Sequence, residues 1–337
     1  MKHISILVPK NNTILSSVIG PYKIFNAVNA FLLQSGKSHG PFFDVHLVGI
    51  EANSTLYDGA FSIHCDSTLE EIERTDLIII PAGQPHSLAE DIKENYDFVP
   101  WIIKQRKQNN TEVASLCLGA FLLAETGLIN GKQCATHWAA MDLFKKSYPK
   151  VGMVSNKVVT DEDGIYTSGG AYSFLNLMVY LVEKYCGREV SIYISKFFEI
   201  EMDRQEQGQF AIFQGQKDHS DEAIKKAQHY IEENVSKKIS VEALAQKYAI
   251  SRRNFVRRFK KATQNTPLEY IQRVKIEAAK KILESTERNV SEVMFGVGYS
   301  DQKAFRTMFK KHVGLSPIAY KGKYNRNLVH VEHPTSW

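Results

Sequence analysis

From Phe255 onward the chain matches itself at an offset of 50 residues, and no other feature constrains its folding as strongly. Phe255 and Phe259 meet Phe305 and Phe309, Lys260-Lys261 meet Lys310-Lys311, and Thr266-Pro267 with Tyr270 meet Ser316-Pro317 with Tyr320. Upstream the offset slips to 49, so that Val241 and Leu244 meet Val290 and Val293. Self-similarity of this kind marks one supersecondary unit used twice. Each copy reads as a short helix, a tight turn and a second helix. The first copy is 241–248, a turn at 249–250, and 251–262; the second is 290–297, a turn at 298–300, and 301–312. Ser251 and Asp301 stand where helix N-caps belong.

The second helix of each copy explains the pattern. Phe255 and Phe259 lie four apart and fix one face in a core, which leaves Arg253, Arg257 and Lys260 opposite, with Val256 and Lys261 beside them. In the later copy Phe305, Met308 and Phe309 face inward, and Gln302, Lys303, Arg306, Thr307 and Lys310 face outward. A helix locked by aromatics and lined outside with Arg, Lys and Gln suits the major groove of DNA. Two such units on a rigid connector, 268–284, would enter successive grooves about 34 Å apart. The plainer alternative is a helical bundle with a solvated basic face.

Charge divides the chain at the same place. Residues 1–215 hold 18 Lys+Arg and 24 Asp+Glu, a net of −6; residues 216–337 hold 24 and 13, a net of +11; together they give the whole-chain +5. A polyanion partner is therefore expected for the basic part alone. The 337 residues suit two domains. No apolar run reaches the ~18 residues of a membrane span, and the start lacks a signal-peptide pattern. A cytoplasmic chain follows as the expectation. Cys65, Cys117, Cys134 and Cys186 have no metal-type spacing and read as free thiols.

The first two thirds alternate strand-length apolar runs (4–8, 44–48, 76–81, 112–117) with helical stretches (17–34, 98–108, 119–126, 171–185). The runs at 77–80 and 113–116 are apolar throughout, as in a parallel sheet covered on both faces. The expected fold class is a doubly wound, flavodoxin-like α/β domain followed by an all-α domain with two helix-turn-helix motifs. Residues 205–219, rich in Gln and Gly without a period, read as a linker between 1–204 and 220–326, with a tail at 327–337.

Residues 239–324 resemble the double helix-turn-helix DNA-binding domain of AraC/XylS-type transcription regulators. The resemblance rests on Leu244-Ala245, the run from Ser251 to Phe259, Pro267-Leu268-Glu269-Tyr270-Ile271, Val297-Gly298-Tyr299, Phe305, Phe309, and Gly314-Leu315-Ser316-Pro317-Ile318-Ala319-Tyr320. It implies base-facing positions at Arg253, Val256 and Arg257 in the first copy and Gln302, Lys303, Arg306 and Thr307 in the second; Arg252, Lys260 and Lys310 complete the DNA-binding set. Thr307 and Met294 depart from that pattern, which usually has Arg and a small Ala there.

In the first domain, Glu112 to Ala124 runs a strand straight into a helix with Cys117 at the junction and Gly119-Ala120 after it. That is the shape of a nucleophile elbow, and His137 is a candidate base. A buried structural cysteine is the alternative. Residues 1–200 resemble the DJ-1/PfpI, class I glutamine-amidotransferase-like domain. The residues that carry this are Gly20-Pro21, Phe25, Asp76, Pro81-Ala82-Gly83, the stretch from Cys117 to Ala124, Gly127-Leu128, Gly131, Thr136-His137-Trp138 and Thr167-Ser168-Gly169-Gly170. Enzymatic relatives place an acid after the first strand and many place His after the cysteine. Here Asn11 to Ser17 holds no acid, and Leu118 follows Cys117. A nucleophile without such a partner has little activation.

The expected function is a bacterial transcription regulator: no enzyme, no cofactor and no metal. Its partners would be double-stranded promoter DNA, a second copy bound through the first domain, a small-molecule effector and RNA polymerase. The effector pocket is expected at the carboxyl ends of the strands, lined by Gly83, Cys117, Leu118, His137, Ser168, Gly169 and Gly170. Two other readings stay open, a thiol-dependent hydrolase or amidase and a redox sensor, each using Cys117 and each fused to a DNA-binding domain.

Overall fold

The computed structural model describes residues 1–325 apart from 12, 85–87, 155–156 and 203–206, and no side chain at Ala171. The expected tail, 327–337, and residues 205 and 206 of the expected linker lie outside the described residues. The chain divides into two compact units, Met1–Gln207 and Gly208–Trp337.

The first unit is built on one sheet of β1 (Lys2–Val8), β2 (Phe43–Gly49), β3 (Ser67–Thr68), β4 (Leu77–Ile80), β5 (Glu112–Leu116), β6 (Val159–Glu162) and β7 (Ile165–Ser168). Its order is β6-β7-β5-β4-β1-β2-β3, parallel throughout except for the β6–β7 pair. That pair closes through Asp163-Gly164, both at positive φ, as a two-residue hairpin requires. Alternate strand residues feed two cores. Ile4, Ile6 and Val8 pack with Phe25 and Val28 of α1 (Ser16–Gln34) and with Leu177 and Met178 of α4 (Phe174–Cys186). Leu7, Ile78 and Ile80 pack on the other face with Phe98 and Ile102 of α2 (Phe98–Asn109) and Phe121 and Leu123 of α3 (Gly119–Glu125). Burial on both faces is why Leu77–Ile80 can be apolar at every position. A further helix, α5 (Arg188–Phe197), packs against α4 and α1.

The second unit contains α6 (Glu222–Glu233), α7 (Val241–Lys247), α8 (Arg252–Thr263), α9 (Pro267–Ser285), α10 (Val290–Gly296), α11 (Gln302–Val313) and α12 (Pro317–Tyr324). Each copy has its own core, and α9 contributes to both. Tyr270 and Ile271 join Leu244, Phe255 and Phe259; Ile276, Ala279 and Leu283 join Val293, Phe305, Phe309 and Tyr320. The large Met294 is 4% exposed within the second core, so that core is packed around it. The slip in repeat offset sits in the turns. Ala249 (φ 53°) and Gly298 (φ 71°) occupy the same left-handed position, after which the second turn holds one more residue before its reading helix.

The segment expected as a linker is packed instead. Phe213 stands edge-on to Tyr270 at 5.2 Å with the Arg273 guanidinium 4.2 Å over its ring, and its N–H donates to Glu277. Lys280, almost fully buried, pairs with Glu277 and donates to the Ala211 carbonyl. The contacts of Ala211 and Phe213 join positions more than 50 residues apart, which no local period records.

Candidate functional site

In the second unit, α8 and α11 turn the two aromatic pairs inward: Phe255, Phe259, Phe305 and Phe309 are all fully buried. The opposite faces are open. Arg252, Arg253, Arg257 and Lys260 are exposed on α8 with Val256 half-buried among them, and Gln302, Lys303, Arg306, Thr307 and Lys310 are exposed on α11. Not every cation there is equally free. Arg252 pairs with Glu242, Arg257 donates to Asn254 at 2.8 Å, and Arg258 makes a two-bond pair with Asp221. The Arg258 pair holds the Asp221 carboxyl below the usual carboxylate range. It also fixes α8 to the start of α6, where Asp221 is the N-cap.

One lysine ties the two copies together. Lys275 of α9 is 6% exposed, and its Nζ donates to the carbonyls of Val235 (2.7 Å), Lys237 (3.0 Å) and Val297 (2.8 Å). The first two carbonyls precede α7; the third ends α10. A Cβ at Gly298 would stand 2.5 Å from that Nζ and from the Ser236 carbonyl, so glycine is needed there for space as well as for its φ. A rigid connector between two reading helices fixes their spacing, and spacing is what successive grooves demand.

In the first unit the elbow is present. Cys117 sits at φ 53° between β5 and α3, and a Cβ at Gly119 would come within 2.7 Å of the Ile80 and Pro81 carbonyls. The geometry of a nucleophile is kept without its electrostatics. Cys117 is 2% exposed, and burial pushes its thiol up to about 12, against the smaller opposing effect of the Leu118 N–H. Among the described residues no hydrogen bond joins it to His137. His137 Nδ1 instead accepts from Ala139 N–H at 3.2 Å, capping the short turn Trp138–Ala140. Burial holds the His137 pKa below its ordinary value.

Of the seven residues expected to line one pocket, Cys117 lies buried in the elbow outside the cleft lining, and the other six fall into two groups. Gly83 and Leu118 border a small cleft of about 40 Å³ beyond the carboxyl ends of β1, β4 and β5, together with Pro9, Thr13, Pro81 and Asn95. Ser168, Gly169, Gly170 and His137 surround a different space, and that space is filled. Gln207, 1% exposed, lays its carboxamide there: Oε1 accepts from Gly170 N–H at 3.0 Å, and Nε2 donates to the Thr136 (3.2 Å) and Lys157 (3.4 Å) carbonyls. Sequence reasoning missed Gln207, Thr136 and Lys157. Gln207 stands in an aperiodic Gln-rich stretch, and its partners are 37 to 71 residues away. Among the described residues one group of metal-ligating types also gathers, His3, Asp44 and His46, where β1 and β2 begin and away from the cleft. The two rings stack at 4.7 Å, and Asp44 accepts from His46.

Comparison with known proteins agrees with this division. Residues 7–184 match the DJ-1/PfpI family, and residues 244–323 match a helix-turn-helix domain. The chain is 23% identical over 291 residues to the HTH-type transcriptional regulator CdhR of Pseudomonas aeruginosa, spanning 85% of this chain and 84% of that one. It is 22% identical over 304 residues to the regulator GbdR of the same species, spanning 90% and 79%. A crystal structure of a transcriptional regulator protein from Vibrio parahaemolyticus superposes with a TM-score of 0.51 at 20% identity, over 58% of this chain and 98% of that one. The chain therefore belongs to the DJ-1/PfpI family through its first unit and carries an AraC/XylS-type helix-turn-helix domain in its second.

Proposed function

We propose that this chain is a sequence-specific DNA-binding transcription regulator. In this reading α8 and α11 read base edges through Arg253, Val256, Arg257, Gln302, Lys303, Arg306 and Thr307. Arg252, Lys260 and Lys310 hold phosphates. One observation carries it: two helices, each locked by a buried Phe pair, present exposed Arg, Lys and Gln on a shared rigid connector. The names of CdhR and GbdR, matched over most of their lengths, support the same reading.

The first unit senses a small molecule and pairs two copies without catalysing a reaction, because a thiol held neutral is neither a nucleophile nor a redox trigger. The positive φ at Cys117 favours the second reading, a thiol-dependent hydrolase or redox sensor, and the Cys117→Ala variant separates them. The regulator reading expects that variant to bind DNA and respond to effectors as the parent does; a turnover or oxidation response lost with the thiol would favour the second.

The direct test offers the intact chain sheared DNA from its source genome at about 50 and 200 mM salt, and sequences what is retained. The expected result is a small enriched set of fragments whose retention weakens as salt rises. Uniform retention at all salts, or none at low salt, would overturn the reading.

A further inference from the structure

The carboxamide of Gln207 is held like a ligand. Burying a glutamine side chain costs rotamer freedom and strips its amide of water, so the site must return hydrogen bonds in good number. It does so with one donor to the oxygen and two acceptors for the nitrogen, all main-chain groups from three separate segments. The donor-acceptor pattern matches the C=O and NH2 of a carboxamide. A carboxylate would set its second oxygen against the Thr136 and Lys157 carbonyls, and an ammonium would face the Gly170 N–H.

The cradle is shaped as well as charged. A Cβ at Gly169 would meet Gln207 Oε1 at 2.5 Å, Cδ at 2.7 Å and Nε2 at 2.8 Å, so this glycine, which has no positive φ to require it, is needed for the amide alone. A Cβ at Gly170 would meet only ordinary contacts, among them the His137 ring. The neighbouring Ser168 and Ser173 hydroxyls are fully buried with no hydrogen-bond partner among the described residues. Thr136 also reaches the elbow, its Oγ1 donating to the Cys117 carbonyl at 2.8 Å. The cradle thus adjoins the elbow, while its occupant comes from the end of the unit. Gln207 is the last residue of the first unit, and Gly208 begins the second, lying against the His312 and Val313 carbonyls that close α11.

We infer that Thr136, Lys157, Gly169 and Gly170 form a carboxamide-binding subsite that Gln207 fills in cis, and that the effector class it takes is a small molecule bearing a primary amide or ureido group. Such a ligand competes with Gln207 for the same three hydrogen bonds. Its binding frees the residue that immediately precedes the DNA-binding unit in the chain. This last step rests on the regulator reading; the subsite does not.

The test uses the intact chain and propionamide, the side chain of glutamine without its backbone, with propionate as the control. Binding is read from the amide resonance of Gly170. In Gln207→Gly the cradle is vacant, and propionamide is expected to bind at least about tenfold more tightly than in the parent, where Gln207 must first leave. Propionate should leave the resonance unmoved. Gln207→Glu, which keeps the size but presents oxygen to two carbonyls, is expected to vacate the cradle and gain the same affinity. Gly169→Ala, whose methyl occupies the amide position, should bind no propionamide. Gly170 unmoved by propionamide in both Gln207 variants, or equal binding by Gly169→Ala, would overturn the subsite. DNA retention measured on the same samples is independent: a chain that binds propionamide but no DNA would sink the regulator reading and leave the subsite standing.

Discussion

The two units keep their motifs in opposite ways. In the second, the residues that define the motif stand on the surface of two helices, and their aromatic partners hold those helices from beneath. In the first, the motif residue Cys117 is itself buried, and the space beside His137 and Gly169-Gly170 is taken by the chain's own Gln207. A surface motif needs only a scaffold to be ready for a partner. A pocket motif needs vacancy and a tuned charge as well, and here burial raises the thiol and Gln207 fills the space beside His137. The contrast teaches that an elbow is a statement about turn geometry before it is one about chemistry.

The comparison breaks most severely if the scaffold of the second unit is removed. Phe305→Ala should cost about 3–5 kcal/mol, because the ring is fully buried among Tyr299, Phe309 and Val293. Two-probe thermal unfolding should show the second unit melting early and the first unchanged. Lys275→Met comes next. It leaves the Val235, Lys237 and Val297 carbonyls without their shared donor, at about 1–3 kcal/mol, and should weaken DNA binding even though Lys275 is buried away from the reading faces. An unchanged DNA affinity in a folded Lys275→Met chain would show that the spacing of the two copies does not matter.

A pH dependence sharpens the same contrast. His312 of α11 is held neutral, its pKa pushed down to about 4 by burial, with Arg273 and Lys311 adding to the effect. The unfolded chain takes up that proton below about 6.5. Between pH 6.5 and 4 the unfolded state therefore binds more protons, so the second unit loses stability as pH falls through this window. Urea midpoints at pH 7 and 5 should differ for the parent and converge in His312→Gln. The smallest expected effect is at Cys117. Cys117→Ala should leave DNA affinity unchanged, and alkylation of the parent thiol at pH 8 should run at least about a hundredfold slower than that of a free cysteine peptide. Because the thiol is pushed up to about 12, that rate should rise with pH without a plateau below pH 10.

Much of the second unit was legible because helices write themselves in a local period. Phe255 and Phe259 define the buried face of α8, and the open face follows by subtraction. The left-handed turn at Ala249 was less so, since only its counterpart Gly298 carries the residue that such a φ favours. In the first unit the strands buried on both faces announce themselves by composition, and the β6–β7 hairpin does so only through Asp163-Gly164 between Glu162 and Ile165. The elbow was readable as a shape. The state of its thiol was not, because that depends on burial by α3 and its surroundings, a property of packing. Gln207 was the least readable residue of all. Nothing near it in sequence distinguishes it from Gln205 or Gln209, and only the fold brings Thr136, Lys157 and Gly170 to it.

The central claim, that the exposed faces of α8 and α11 read DNA, meets its most direct test in one titration. Fluorescence anisotropy of a genomic fragment retained by the chain would be measured across salt for the parent and for Arg253→Ala/Arg257→Ala. Both side chains are exposed, so the folded state should be spared. The expected result is a loss of about tenfold or more in affinity for the selected fragment, a smaller loss for random DNA, and a shallower dependence on salt. Unchanged affinity and an unchanged salt slope in the double variant would contradict the claim.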